Sequence, residues 1–141
     1  MLPSTRQRGL VAEEEAARFL ESRGLVVCER NVQIAGSEID IIAEEPPASA
    51  GAPGTVVFVE VRSRGDERSG SPLETVDRRK RAQIRRGATA WLVARGLWER
   101  VAVRFDVIGI VGVVGERSRE CGQQEAPEIV WIPGAFDADG A

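Results

Sequence analysis

SEIDII (Ser37–Ile42) and VVFVEVRSR (Val56–Arg64) both read as short strands, yet each carries charge where a buried strand prefers apolar side chains. Thr55–Ser63 is the strongest strand in the chain. Alternation turns Val57, Val59 and Val61 one way and Phe58, Glu60 and Arg62 the other. In the earlier run, Ile39 and Ile41 face one way and Glu38, Asp40 and Ile42 the other. Between them lies EEPPASAGAPGT (residues 44–55), whose paired prolines have no place in a central ladder, so the two strands read as a hairpin with a long tip. Paired in this way, Asp40 and Glu60 come onto one face, with Arg62 one step beyond Glu60. Two neighbouring carboxylates repel unless a proton or a cation lies between them, and a divalent metal resolves the conflict. A nearby cation that is not a ligand then stabilises charge on a transferring phosphoryl group, the arrangement used in metal-assisted phosphodiester hydrolysis. For Glu60 and Arg62 taken alone, an ordinary same-face ion pair is the plainer reading.

Outward from this pair, residues 5–23 read as a helix with Val11, Ala12, Ala16, Phe19 and Leu20 along one stripe; Ser4 or Thr5 caps its start and Gly24 ends it. It offers Glu13, Glu14 and Glu15 as a third acid, and spacing alone does not choose among them. Acids in its early turns are also explained by the helix dipole. Leu25–Cys28 starts a strand that continues toward Asn31–Ile34, and Gly36 marks a turn. Residues 65–72 form a polar loop. A long helix follows from Leu73 or Thr75 to Ala94, with Ile84, Ala88, Trp91 and Leu92 on one side and Gly96 at its end. VAVRFDVIGIVGVV (residues 101–114) contains a strand centred on Phe105–Ile110. We expect a single nuclease-like core over residues 1–114, then a polar loop from residue 115, a last strand at 128–132 and a frayed tail. The order α-β-β-β-α-β-β, without repeats, predicts an α/β fold with a mixed central sheet flanked by helices.

The 141 residues suffice for one domain with a substantial core. No apolar run reaches the roughly 20 residues of a membrane span, and residues 1–8 lack a signal-peptide core. A cytoplasmic protein without a membrane partner is expected, with Cys28 and Cys121 as reduced thiols. The chain has no His and no Tyr. That excludes Ser–His–Asp and Cys–His catalysis, His-ligated zinc and a tyrosine nucleophile. Carboxylates holding a hard cation remain. The net charge is −3, but residues 62–104 carry twelve Arg or Lys against five acids, +7 in that segment. A basic middle in an acidic chain predicts an anionic partner such as a nucleic-acid backbone, although a solvated helix face would look similar.

RGLVAEEEAARFLESRG, RN, SEIDII, VVFVEVRSR, DRRKRAQIRRGATAWL and VRFDVIGI, in this order and spacing, resemble the YraN-like uncharacterised family over about residues 8–110. That family looks like a member of the PD-(D/E)xK nuclease superfamily, close in fold to Holliday-junction resolvases. The resemblance implies a restriction endonuclease-like core, with Glu13, Asp40 and Glu60 as metal ligands for Mg²⁺ or Mn²⁺. It places the superfamily's Glu-x-Lys lysine at Arg62 and a helical lysine at Lys80. Ala12 and Ser37 replace glycines of the family pattern, and Gly36 lies beside the second. Arg62 keeps its charge but cannot act as a general base, as a desolvated lysine can. The expectation is therefore a divalent-metal-dependent endonuclease-like protein acting on nucleic acid, DNA rather than RNA and perhaps branched. Asp40, Glu60, Arg62 and Glu13 would be its catalytic residues. Arg64, Arg78, Arg79, Lys80, Arg81 and Arg85 would hold the nucleic-acid backbone. A symmetric homodimer would suit cutting two strands. The alternative is a nucleic-acid-binding module whose site has decayed through Arg62.

Overall fold

The computed structural model describes residues 5–64, 72–111 and 128–137. Helix α1 spans Thr5–Ser22 and strands β1, β2 and β3 span Val26–Ile34, Ser37–Glu45 and Thr55–Arg64. After a 3-10 turn at Pro72–Thr75 come helix α2 (Arg78–Ala94), β4 (Ala102–Val111) and β5 (Glu128–Phe136). The strands form one sheet in the order β1-β2-β3-β4-β5. β3 and β4 are parallel, and every other neighbouring pair is antiparallel. A parallel pair needs a long crossover, and α2 lies within it. The result is the expected α/β architecture, a mixed five-stranded sheet with two helices, consistent with a restriction endonuclease-like core.

Each helix covers one sheet face. Ala12, Ala16, Ala17 and Leu20 of α1 pack on Ile41, Ala43, Val57, Val59, Ile108 and Ile110. The small side chains bring the helix axis close to the strands. Ile84, Ala88, Trp91 and Leu92 of α2 pack on Ile39, Ile42, Val56, Phe58, Phe105 and Val107. Gly87 permits this contact, because a Cβ there would lie 3.0 Å from the Ser37 side chain and 3.3 Å from Ile39. The β1–β2 turn needs two left-handed residues. Ala35 and Gly36 supply them at φ 52° and 70°, so Gly36 makes the turn that Ser37 does not.

Three expectations are corrected. The second helix begins at Arg78 rather than at Leu73 or Thr75, because the Asp77 side chain accepts the Lys80 N–H at 2.8 Å and caps it there. The turn before it buries Pro72, and Val76 beside it is buried too. The last strand runs four residues beyond Ile132: Pro133 and Gly134 form an irregularity rather than an end, and Phe136 pairs with Phe105 and enters the core. Strict alternation also fails in β2. Ile39 packs beneath α2 and Ile41 beneath α1, so the two do not share a face and the strand shifts across Asp40. Of the cysteines, Cys28 is an exposed free thiol at a β1 irregularity; Cys121, like the polar segment 115–127 and the tail 138–141, lies outside the described residues.

Candidate metal centre and nucleic-acid interface

The shift at Asp40 builds the site. The β2–β3 ladder stops at the pair Ile41–Val59. Beyond it the Asp40 Oδ2 takes the next inward donor, the Val61 N–H, at 2.8 Å. This bond fixes the carboxylate at the rim between the strands. From there Asp40 shares a hydrogen bond with Glu60, which lies on the α2 side, and another with Glu13 of α1. The two acids expected to meet do meet, by a break in alternation rather than by sharing one regular face.

The energetic cost of this gathering shows in the proton affinities. Glu60 is buried, and its pKa is pushed up to about 8, first by burial and then by the Asp40 charge, while Lys80 and Arg62 pull it down. Glu13 is raised to about 7 by burial, by Asp40 and by Glu38, and a hydrogen bond from Asn31 works the other way. Burial and the neighbouring negative charges thus favour the protonated forms of both acids in the absence of a cation. Asn31 sits in β1 at φ 54°, a left-handed conformation that asparagine tolerates.

Glu38 completes a set with Glu13 and Asp40, each offering an oxygen within 4.8 Å of the others. All are hard oxygen donors, the type that Mg²⁺, Mn²⁺ and Ca²⁺ prefer. Glu13 is 8% exposed, and its Oε2 has no hydrogen-bond partner. An orphaned buried acceptor inside an acidic cluster fits a cation.

Two cations approach from the α2 side. Arg62 Nη2 lies 3.3 Å from Glu60 Oε1, and Lys80 Nζ lies 3.8 Å from the same oxygen. Arg62 Nε is buried and unpartnered, a donor without an acceptor. Lys80, Arg78 and Arg79 occupy the first turn of α2, which contains no acid. Arg78 and Arg79 are exposed. Arg81 and Arg85 are engaged elsewhere. Their Nε groups bond the Val76 and Asp137 carbonyls, and both guanidiniums lie over the Phe136 ring at 5.7 and 5.4 Å. The Arg64 side chain is outside the described part. The structure thus gathers Glu13, Asp40, Glu60, Arg62 and Lys80, and turns Arg81 and Arg85 toward the end of β5.

Reading the sequence missed Glu38 as a partner of Glu13, and Asn31 as the neutral neighbour that lowers the proton affinity of Glu13. The signal for Asn31 was an asparagine in a strand, where that residue is depleted. The RFDV segment has a structural role. Asp106 is fully buried and accepts two bonds from Arg104, at 2.8 and 3.0 Å, one from Trp131 Nε1 at 3.0 Å and one from the Gly134 N–H at 2.9 Å. Arg104 also reaches Glu45 at 2.9 Å, which ties β2, β4 and β5 together.

A mixed five-stranded sheet between two helices, with acids meeting at the rim of its central hairpin, defines an α/β protein of restriction endonuclease-like architecture. Within that class the chain belongs to the uncharacterised protein family UPF0102, whose profile matches residues 12–110. It is 38% identical over 135 residues to a UPF0102 protein of Marinobacter nauticus, a match covering 96% of each chain. It is 42% identical over 102 residues to one from Desulforapulum autotrophicum, covering 72% of this chain and 78% of the relative. A mycobacterial UPF0102 protein is 39% identical over 127 residues, covering 89% of this chain and 82% of the relative. The matched region includes every residue of the acidic cluster.

Proposed function

We propose that this protein is a divalent-metal-dependent endonuclease-like hydrolase of nucleic acid, DNA in preference to RNA. The observation that carries the reading is the meeting of opposite needs at one rim: Glu13 Oε2 is a buried acceptor without a donor, and Arg62 Nε a buried donor without an acceptor. A phosphodiester with a bound cation answers both.

Glu13, Asp40 and Glu60 are the residues that would hold Mg²⁺ or Mn²⁺. When bound, the ion supplies water activation and charge neutralisation at the phosphate. The chain's own groups do the rest. Asp40 keeps its orientation through the Val61 N–H. Asn31 lowers the proton affinity of Glu13 and so favours its charged, ligating form. Arg62 offers its guanidinium to phosphate oxygens and stabilises the negative charge that grows on them. It keeps its proton, so it acts by charge alone. Lys80 reaches the same Glu60 oxygen from α2, which returns a lysine to the neighbourhood where Arg62 took the strand position. Arg78 and Arg79 place positive charge at the start of a helix, against its dipole; an anionic backbone there turns a cost into an attraction.

Labelled single-stranded, duplex, flap and four-way DNA, together with structured RNA, incubated with Mn²⁺ at low salt, tests this. Divalent-dependent cleavage that chelation stops and Mn²⁺ restores supports the reading. Arg62 itself favours a second reading, a binding module without turnover. Silence from the wild type and from Arg62→Lys, with salt-sensitive binding, would select that module.

A further inference from the structure

A cavity at the turn between β1 and β2 takes no part in the proposed hydrolysis. It measures about 450 Å³ and is lined by residues 33–38, from Gln33 to Glu38. That volume falls in the range of small-ligand sites. Glu38 also belongs to the acidic cluster with Glu13 and Asp40, so the cavity adjoins the rim. Glu38 and Asp40 are two residues apart in β2, about 7 Å along a strand. At roughly 3.4 Å per nucleotide, that is the reach of about two nucleotides of a duplex strand. Ser37 in the cavity wall is 7% exposed, and its Oγ has no hydrogen-bond partner, an orphan that a ligand's polar group would satisfy. Gln33 is exposed and stands opposite Glu38 in the ladder, with donors and an acceptor to offer. Arg86 reaches the cavity's edge from α2, where its Nε donates to the Ala35 carbonyl at 3.2 Å. Among the described residues Arg86 has no ion-pair partner.

We infer that this cavity receives one unpaired nucleotide, next to the phosphate at the acidic rim, and that Arg86 holds the phosphate of that nucleotide. The inference rests on the proposed function for its class of ligand, and it adds a claim about which form of nucleic acid fits. Charge orients the nucleotide. Glu38 in the wall repels a phosphate, while the Arg86 guanidinium at the edge attracts one, so the phosphate stays outside and the base enters. Inside, Gln33 offers hydrogen bonds to the base's polar edge. A base within a duplex cannot enter, because its edge is paired and its faces are stacked; an unpaired or flipped base exposes both. Arg79, also exposed, lies seven residues before Arg86 on α2. The two are about 10 Å apart along the helix axis, on the same side, and they carry the backbone contact back toward Lys80. The rim is thereby placed to act beside a bulge, flap or junction, where a strand leaves its pairing, rather than within continuous duplex.

Binding of the full-length protein to fluorescein-labelled DNA, followed by anisotropy with Ca²⁺ in place of Mn²⁺, tests this apart from turnover. Duplexes of one sequence are compared: fully paired, with a single bulged nucleotide, and with an abasic bulge at the same position. The bulged duplex should bind about tenfold more tightly than the other two, the scale of one well-made base contact. Gln33→Ala should bind the paired duplex as the wild type does and lose most of the preference. Arg86→Gln should weaken the bulged duplex by a comparable factor. Both residues are exposed, and the circular dichroism and melting of these variants should stay those of the wild type. Equal affinity for all the duplexes would overturn the inference, as would a preference that neither substitution lowers. The two claims fail separately. A Gln33-dependent preference without cleavage in Mn²⁺ keeps the subsite and removes the hydrolase, whereas cleavage with equal affinity for all the duplexes does the reverse. Absence of any DNA binding would overturn both.

Discussion

Lys80 approaches Glu60 from a helix, and Arg62 from the strand, so the two cations can be separated by substitution. Lys80→Met should lower cleavage by about 100-fold if the lysine stabilises or shuttles charge at the phosphate, a magnitude typical of one electrostatic or proton-transfer group. Arg62→Lys in the Lys80→Met background should recover part of the loss, and single-turnover rates with and without the second change measure it. The raised carboxyls predict a pH dependence of stability. Glu13 and Glu60 bind protons more tightly in the folded chain, at about 7 and 8, than in the unfolded one, near the ordinary 4.5. Between those values the folded state holds more protons, so stability falls as pH rises from about 5 to 8, by an order of a few kcal/mol for the two together. Urea melts in chelator across that range should show the fall, and Glu60→Gln should flatten it.

At the scale of elements, β4 and β5 are joined by Asp106. Asp106→Ala leaves Arg104, Trp131 and Gly134 without their shared acceptor, and urea denaturation should report a loss of about 3–5 kcal/mol, the cost of breaking one side of a buried pair. Mn²⁺ affinity should survive wherever the variant folds, because none of these bonds touches the acidic cluster. The elements themselves were legible because periodicity is local: alternating valines mark β3, and an Ala/Leu stripe marks α1. Two boundaries were not. Asp77 caps α2 only because the chain before it folds into a 3-10 turn, and β5 survives Pro133 only because β4 accepts an irregular register. The site was half legible. Asp40 and Glu60 stand out as acids in strands, and a family pattern singles out Glu13. Glu38 could not be paired with Glu13 from alternation, because the shift at Asp40 depends on a tertiary bond, Val61 N–H to Asp40. Arg81 and Arg85 read as phosphate ligands until Phe136, 51 or more residues away along the chain, is seen to hold them.

At the scale of the molecule, charge is segregated: a −3 chain carries a +7 segment, and α2 presents its first turn of Arg78, Arg79 and Lys80 next to the acidic rim. No helix among the described residues is long and apolar enough to cross a membrane. The central claim is that Asp40 organises a metal-dependent cleavage site, touching Glu13, Glu60 and the Val61 N–H at once. The most direct measurement is single-turnover cleavage of a labelled four-way or flap DNA in Mn²⁺ by the wild type and by Asp40→Asn, with the melting temperature of each recorded. The account predicts cleavage by the wild type and its loss, by about 1000-fold or more, in a variant that remains folded. Cleavage by Asp40→Asn at the wild-type rate would contradict it.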